Sequence, residues 1–301
     1  MAIKTVAVIG ASGNVGASIV AALLANHFTV TAITRESSTS SLPAGVAVRK
    51  ADFSSLESLV SAFEGHDAVV AAVATSVALG SQNILADAAL AAGVKRFIPS
   101  EFGTNTRNLG GEVLGTMLQG KTDAVNYLMK LSEKNPAFTW TGVGTSLFFD
   151  WGLDHGTFGL SMEKKSMTIF DSGNEPVSTS SLPFIGRAVA AILEHETETA
   201  NKYVDVIEFN ITQNQLLKLV EDETGIKFAT TSVKTENLER LGHEKMKKHD
   251  HSSFIDFLMV YNYRDGGDHA IREDKTANKL LGLPASDLTQ VVKAHLESKG
   301  Y

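Results

Sequence analysis

The chain has 301 residues, of which 43% are apolar and 20% charged; 27 Lys and Arg stand against 34 Asp and Glu, a net charge of −7. This composition excludes a disordered chain, and with no basic excess in either half it leaves no electrostatic footprint for a nucleic-acid partner. The sequence contains no cysteine, which removes disulfide frameworks, thiolate metal sites and cysteine nucleophiles. The longest apolar-rich stretch, residues 68–79, is interrupted by Thr75 and Ser76 and is too short to span a bilayer, so no membrane partner is expected. No stretch has the charged start, apolar centre and small-residue cleavage site of a signal peptide, which makes the cytoplasm the expected compartment.

In chain order, Thr5–Ile9 reads as a strand, followed by glycines and an Ala-, Val- and Leu-rich helix over 15–26. Residues 29–33 are β-branched and give strand two; 46–48 give a weak strand three, and Leu56–Phe63 a helix. Strand four covers 68–73, a helix over 82–92 is closed by Gly93, and 97–98 form strand five. Apolar strands alternating with helices predict a parallel sheet covered on both faces. Further on, 121–134 reads as a helix and 138–144 as a strand, while 152–175 is rich in Gly and polar residues. Leu182–Glu194 is a helix with Pro183 in its first turn; Thr212 and Gln215 form a capping box opening a helix over 216–223 that stops at Gly225. The last quarter looks helical and acidic. The expected fold is α/β, a Rossmann-type doubly wound parallel sheet with a smaller C-terminal substrate domain. Residues 1–152 would bind a dinucleotide, with 177–210 packing back onto them. Residues 153–176 and 211–301 would form the smaller domain.

The segment Gly10-Ala-Ser12-Gly13-Asn14-Val15-Gly16 lies between strand one and helix one. Gly10 permits the tight turn, Gly13 lets backbone approach a pyrophosphate, and Gly16 allows helix and strand to pack closely. Asn14 and Val15 would present free N–H groups at the helix N-terminus, where the dipole favours phosphate. The second strand runs into Ile33-Thr34-Arg35, then Glu36, Ser37 and Ser38. An Arg there suits a ribose 2′-phosphate, and the serines can donate further, so NADP(H) is favoured over NAD(H); Glu36 is a contrary signal. Asp52 and Phe53 after strand three suit either an adenine pocket or an ordinary helix cap.

The tyrosine–lysine pair of typical short-chain dehydrogenases, with lysine four residues after tyrosine, is absent: Tyr127, Tyr203, Tyr261 and Tyr263 are followed at that spacing by Leu131, Ile207, Asp265 and Gly267. Gln82, together with Ala91-Ala-Gly-Val-Lys-Arg-Phe-Ile-Pro-Ser100-Glu101-Phe102-Gly103, instead resembles the signature of the isoflavone reductase-like and phenylcoumaran benzylic ether reductase group, NmrA-like atypical short-chain dehydrogenases. The resemblance implies an NADPH-dependent reductase whose catalytic lysine opens a helix about twenty residues beyond that motif; Lys121 stands at this position. Independently, a cation in a first helical turn opposes the macrodipole at a cost of about 0.3–1 kcal/mol, and a broken local rule of this kind often marks a functional site. That dipole, desolvation and an oxidised nicotinamide would each lower the lysine pKa.

By the same resemblance Ser100, Glu101 and Phe102 help frame the nicotinamide, and Phe148 matches a pocket phenylalanine. Phe148, Phe149 and Trp151 could form an aromatic substrate wall, their alternative being domain-interface core. His243, His249 and His251 fit no compact metal site, so no metal is expected. The expected activity is reduction of a small aromatic or polyphenolic substrate by NADPH. The alternative is an NmrA-like sensor that binds NADP(H) without turnover. The sequence sets no oligomeric state, a homodimer being compatible with it.

Overall fold

The computed structural model describes residues 2–301. Thr5–Ile9 (β1) is buried at every position after Thr5, which suits only a strand covered on both faces. It is followed by α1 (Asn14–Ala25), β2 (Thr29–Arg35), β3 (Ala47–Ala51), α2 (Leu56–Phe63), β4 (Ala68–Ala71), α3 (Thr75–Ala91), β5 (Arg96–Ile98), α4 (Val113–Met117), α5 (Gln119–Lys134) and β6 (Thr139–Gly144). Then come β7 (Leu147–Phe148), α6 (Phe149–His155), β8 (Leu160–Ser161), β9 (Ser166–Phe170), β10 (Val177–Ser180), α7 (Leu182–Glu194), β11 (Lys202–Asp205), β12 (Phe209–Ile211), α8 (Gln213–Thr224), β13 (Ala229–Val233), α9 (Thr235–Lys247), α10 (Ser253–Tyr263) and α11 (Leu288–Ser298).

Seven strands form one sheet in the order β11-β6-β5-β4-β1-β2-β3, every pairing parallel. Strand order reverses between β1 and β4, so their carboxyl ends border the crevice where open α/β sheets bind ligands. Helices α1 and α7 cover one face with a core that includes Ile19, Leu23, Phe184 and Ile192; α2, α3 and α5 cover the other around Phe63, Leu85, Phe97 and Leu128. Gly186 makes the α1–α7 contact close, since a Cβ there would lie 2.3 Å from the Ser18 carbonyl oxygen.

The later residues build two three-stranded sheets, β12-β10-β7 and β13-β9-β8. A further core joins them to α8, α10 and α11 through Phe149, Phe158, Met167, Leu216, Met259 and Val292. The segment 177–210 is shared: β10 belongs to the first small sheet, whereas α7 packs on α1 and β11 pairs with β6. The capping box at Thr212 and Gln215 forms, and α8 ends at Gly225 in the left-handed region.

Several elements depart from the sequence expectation. Helix α3 starts at Thr75 rather than residue 82, because Ala74 before it supplies no side-chain cap to mark the start. Strand β3 runs through Arg49 and Lys50 to Ala51; it is an exposed edge, so no apolar pattern announces it. The polar stretch 152–175 holds β8 and β9, and the supposedly helical tail begins with β13, a strand of small polar residues.

Candidate functional site

The loop after β1 is shaped by two glycines. Gly10 has φ +77°, and a Cβ on it would lie 2.2 Å from the Ala72 carbonyl oxygen after β4. A Cβ on Gly16 would lie 2.0 Å from the Gly10 carbonyl oxygen, so α1 can rest on the loop only without one. Gly13 is different: it is extended, with φ −77° and ψ 170°, and its nearest Cβ contact is 3.3 Å. It is the N-cap of α1 and no side chain caps the helix, which leaves the first-turn N–H groups, those of Asn14 and Val15 included, open to an anion beside exposed Ser12.

At the end of β2, Arg35, Glu36 and Ser37 are exposed. Sequence reasoning missed Lys50 on the neighbouring strand. Its ammonium donates to the carbonyls of Arg35 (3.3 Å), Glu36 (3.2 Å) and Ser38 (2.6 Å), which places a second cation at the same loop. Asp52 is exposed and accepts from the N–H and hydroxyl of Ser54 at 2.9 and 2.6 Å, bonds that lower its pKa. Ser55, not Asp52, caps α2, and Phe53 is half-buried.

Lys121 is the third residue of α5 and 7% exposed. Its ammonium donates to the Glu101 backbone carbonyl at 2.7 Å. Burial pushes its pKa down and the charge of Glu101 opposes the shift. Gly120 lets the start of α5 approach α3: a Cβ there would lie 2.3 Å from the Leu79 carbonyl oxygen. Glu101 itself is 1% exposed. Its Oε2 accepts from Thr106 Oγ1 at 2.7 Å and from the Tyr203 hydroxyl at 2.8 Å, whereas Oε1 is buried without a hydrogen-bond partner among the described residues. Burial raises the pKa of both Glu101 and Tyr203. Tyr203, rejected as a catalytic tyrosine by spacing, therefore holds the glutamate; no local motif announces it.

Ser100 is committed to structure. Its N–H donates to Gln82 Oε1 at 2.6 Å and its hydroxyl to the Val73 carbonyl at 2.8 Å, tying the carboxyl ends of β4 and β5 together.

Lys121, Glu101 and Phe102 line a cavity of about 410 Å³ with Phe148, Trp151 and, from α10, Phe254, Leu258 and Met259. Its wall is mostly apolar, as small-molecule sites are. Phe149 does not belong to it, which corrects the expectation from sequence. It is fully buried, edge-on to Phe158 at 5.4 Å and to Phe209 at 4.8 Å. The chain passes from β7 into α6 between Phe148 and Phe149, so the two rings go to different sides: one to the cavity, one to the core. The α10 residues were invisible as pocket residues because their apolar pattern also serves the core. His243 packs edge-on against Phe257 at 5.0 Å, and His249 and His251 are exposed. Among the described residues no helix is long and apolar enough to cross a membrane.

Comparison with known proteins fits this geometry. The NmrA-like family model matches residues 2–268. The oxidoreductase aprR of Aspergillus flavus is 34% identical over 99% of this chain and the whole of its own length. Pinoresinol reductase 1 of Arabidopsis thaliana is 26% identical over 91% of each chain. The solved structure of AtPrR2 with NADP+ and (+)pinoresinol shares the fold at a TM-score of 0.79 and 23% identity, covering 98% of this chain and 99% of that one. With the family model spanning most of its residues and an oxidoreductase as a full-length relative, the chain belongs to the NmrA-like family, on its oxidoreductase side.

Proposed function

We propose that the chain is an NADPH-dependent reductase of a small aromatic or polyphenolic substrate, with Lys121 as general acid/base. The observation that carries this reading is the buried ammonium of Lys121 in the wall of an apolar cavity at the carboxyl edge of the sheet. The residues present fit the dinucleotide. The uncapped N-terminus of α1 and the open side of Gly13 suit the pyrophosphate, and Arg35 with Lys50 suits a 2′-phosphate. NADPH, when bound, supplies the hydride.

This chain's own residues then handle the proton. As hydride reaches a substrate carbon, negative charge develops on a carbonyl, enol or phenol oxygen, and the Lys121 ammonium gives that oxygen a proton. The resulting amine can still donate to the Glu101 carbonyl, so the side chain keeps its aim through the cycle and regains its proton from solvent. Burial lowers the lysine pKa toward the operating range, as a general acid requires. Phe148 and Trp151 give an aromatic substrate a flat wall and exclude water.

The test is a screen of aromatic ketones, enones, quinones and benzylic ethers with NADPH, repeated with two variants. Lys121→Ala keeps NADPH affinity within a few-fold and loses turnover by on the order of 10²–10⁴-fold. Lys121→Arg does not restore it, because a guanidinium cannot exchange a proton near neutral pH. Equal turnover by wild type and Lys121→Ala removes the lysine from the mechanism. No turnover, with tight NADP(H) binding and an NADP(H)-dependent protein partner, replaces the reductase with a sensor.

A further inference from the structure

We propose that His155 is a specificity-determining residue that accepts a hydrogen bond from a substrate hydroxyl remote from the bond reduced. This rests on the reading that the cavity beside Lys121 receives the substrate. His155 is the last residue of α6, before Gly156 in the left-handed region. The spacing of four residues puts it on the same helix face as Trp151, and the two rings stack at 4.1 Å between centroids and 12° between planes. The stack fixes the imidazole at the protein surface.

Its hydrogen bonding then becomes one-sided. Nδ1 lies 2.8 Å from the Trp151 backbone carbonyl, which has no proton to give. Nδ1 must therefore carry the hydrogen, and in the neutral ring Nε2 is left with a lone pair and no proton. A hydroxyl in a cavity wall can give or take a hydrogen bond and selects for neither. A ring nitrogen in this tautomer only accepts, so it selects for a donor.

The position of the ring says which part of a substrate it meets. His155 and Gly156 line the apolar cavity at Lys121, and both also line a second, more polar cleft of about 570 Å³ that includes Ser161, Lys164, His295 and Lys299. His155 is thus part of the partition between the two. The adjacent Asp154 does not compete for it, because its carboxylate is taken by His295 Nε2 at 3.1 Å and Lys299 Nζ at 2.7 Å. The fitting substrate is longer than a single ring. Its apolar part, with the bond to be reduced, lies by Lys121, Phe148 and Trp151. A hydroxyl at its far end reaches the partition.

The experiment compares binding of 4-hydroxychalcone and 4-methoxychalcone to the full chain by calorimetry, with and without NADP+. The two probes differ in the donor and little else. Wild type is expected to bind the hydroxyl compound about three- to tenfold more tightly, the worth of one hydrogen bond. His155→Phe keeps a ring on Trp151 and loses the acceptor, so the ratio falls to about one. His155→Gln, whose amide can give as well as accept, narrows the ratio without abolishing binding. A preference that survives in His155→Phe, no preference in wild type, or binding of neither probe overturns the proposal. If the preference behaves as stated but no substrate is reduced with NADPH, the reductase reading falls alone and His155 stands as a ligand-recognition residue.

Discussion

The Lys121 ammonium donates to the backbone carbonyl of Glu101, at 2.7 Å, and not to its carboxyl group, which faces Thr106 and Tyr203 instead. One residue thereby does two separate things. Its carbonyl aims the lysine at the cavity, and its carboxyl sits close enough to temper the loss of charge that burial imposes. A direct ion pair would have raised the lysine pKa and bound its proton more tightly.

This arrangement predicts a pH signature in stability. Folding lowers the pKa of Lys121 below its ordinary value of 10.5. Between the two values the unfolded chain holds more protons than the native one, so this residue's contribution to stability rises with pH and is least favourable below the folded pKa. Glu101 is shifted the other way, its pKa raised above 4.5 by burial, so its own contribution falls as pH rises above that value. Measured by urea denaturation from roughly pH 8 to 10, wild type should gain stability relative to Lys121→Met, which shares the same Glu101, as pH rises. A difference independent of pH would mean the lysine keeps its ordinary proton affinity.

The glycine loop separates binding from folding. Gly13→Val keeps a backbone conformation that any residue tolerates, and its Cβ, 3.3 Å from the Gly10 carbonyl oxygen, asks the loop to yield only slightly. The expectation is an intact fold with no nucleotide binding. Gly16→Ala drives a Cβ against the Gly10 carbonyl, and overpacking of this kind costs about 1–3 kcal/mol of stability. Thermal denaturation with NADPH titration distinguishes them; normal NADPH binding by Gly13→Val would put the phosphate site elsewhere.

Cofactor choice tests the pairing of Arg35 with Lys50. NADPH should bind at least about tenfold more tightly than NADH, a difference of ~1.4 kcal/mol that is modest for one charge-assisted contact. Both Arg35→Ala and Lys50→Ala should reduce the ratio. Lys50→Ala should also loosen the loop whose three carbonyls it now holds. Equal affinities in wild type, or no change in either variant, would refute the 2′-phosphate assignment.

The sheet, the turn of the glycine loop and the place of Lys121 in a first helical turn were legible in the sequence because each depends on local pattern: apolar runs, glycine spacing, a motif followed by a lysine. What the sequence did not disclose depends on long-range contact. Tyr203 reaches Glu101 across 102 positions. Arg96, beside Lys95 in the sequence, is 2% exposed and donates to the hydroxyls of Thr139, Thr141 and Thr199 at 2.8–3.0 Å. Burial of that guanidinium pushes its pKa down to about 10. Phe148 and Phe149 are chemically identical neighbours, and only the turn from β7 into α6 separates cavity from core.

Gly120 offers a contest of two known effects. Alanine is the better helix former by about 0.8–1.0 kcal/mol, so on propensity alone Gly120→Ala would stabilise α5. Against this, the new Cβ would lie 2.3 Å from the Leu79 carbonyl oxygen and 2.9 Å from its Cα, backbone atoms of α3 that cannot rotate away. Overpacking costs about 1–3 kcal/mol and should win, pushing the first turn of α5 off α3. The next residue is Lys121, so the shift also moves its ammonium from the Glu101 carbonyl. The expected result is lower stability in urea, unchanged NADPH affinity, and a kcat reduced more than KM changes for any substrate that Lys121 serves. A more stable Gly120→Ala protein with full turnover would show that this close approach is not what sets the lysine.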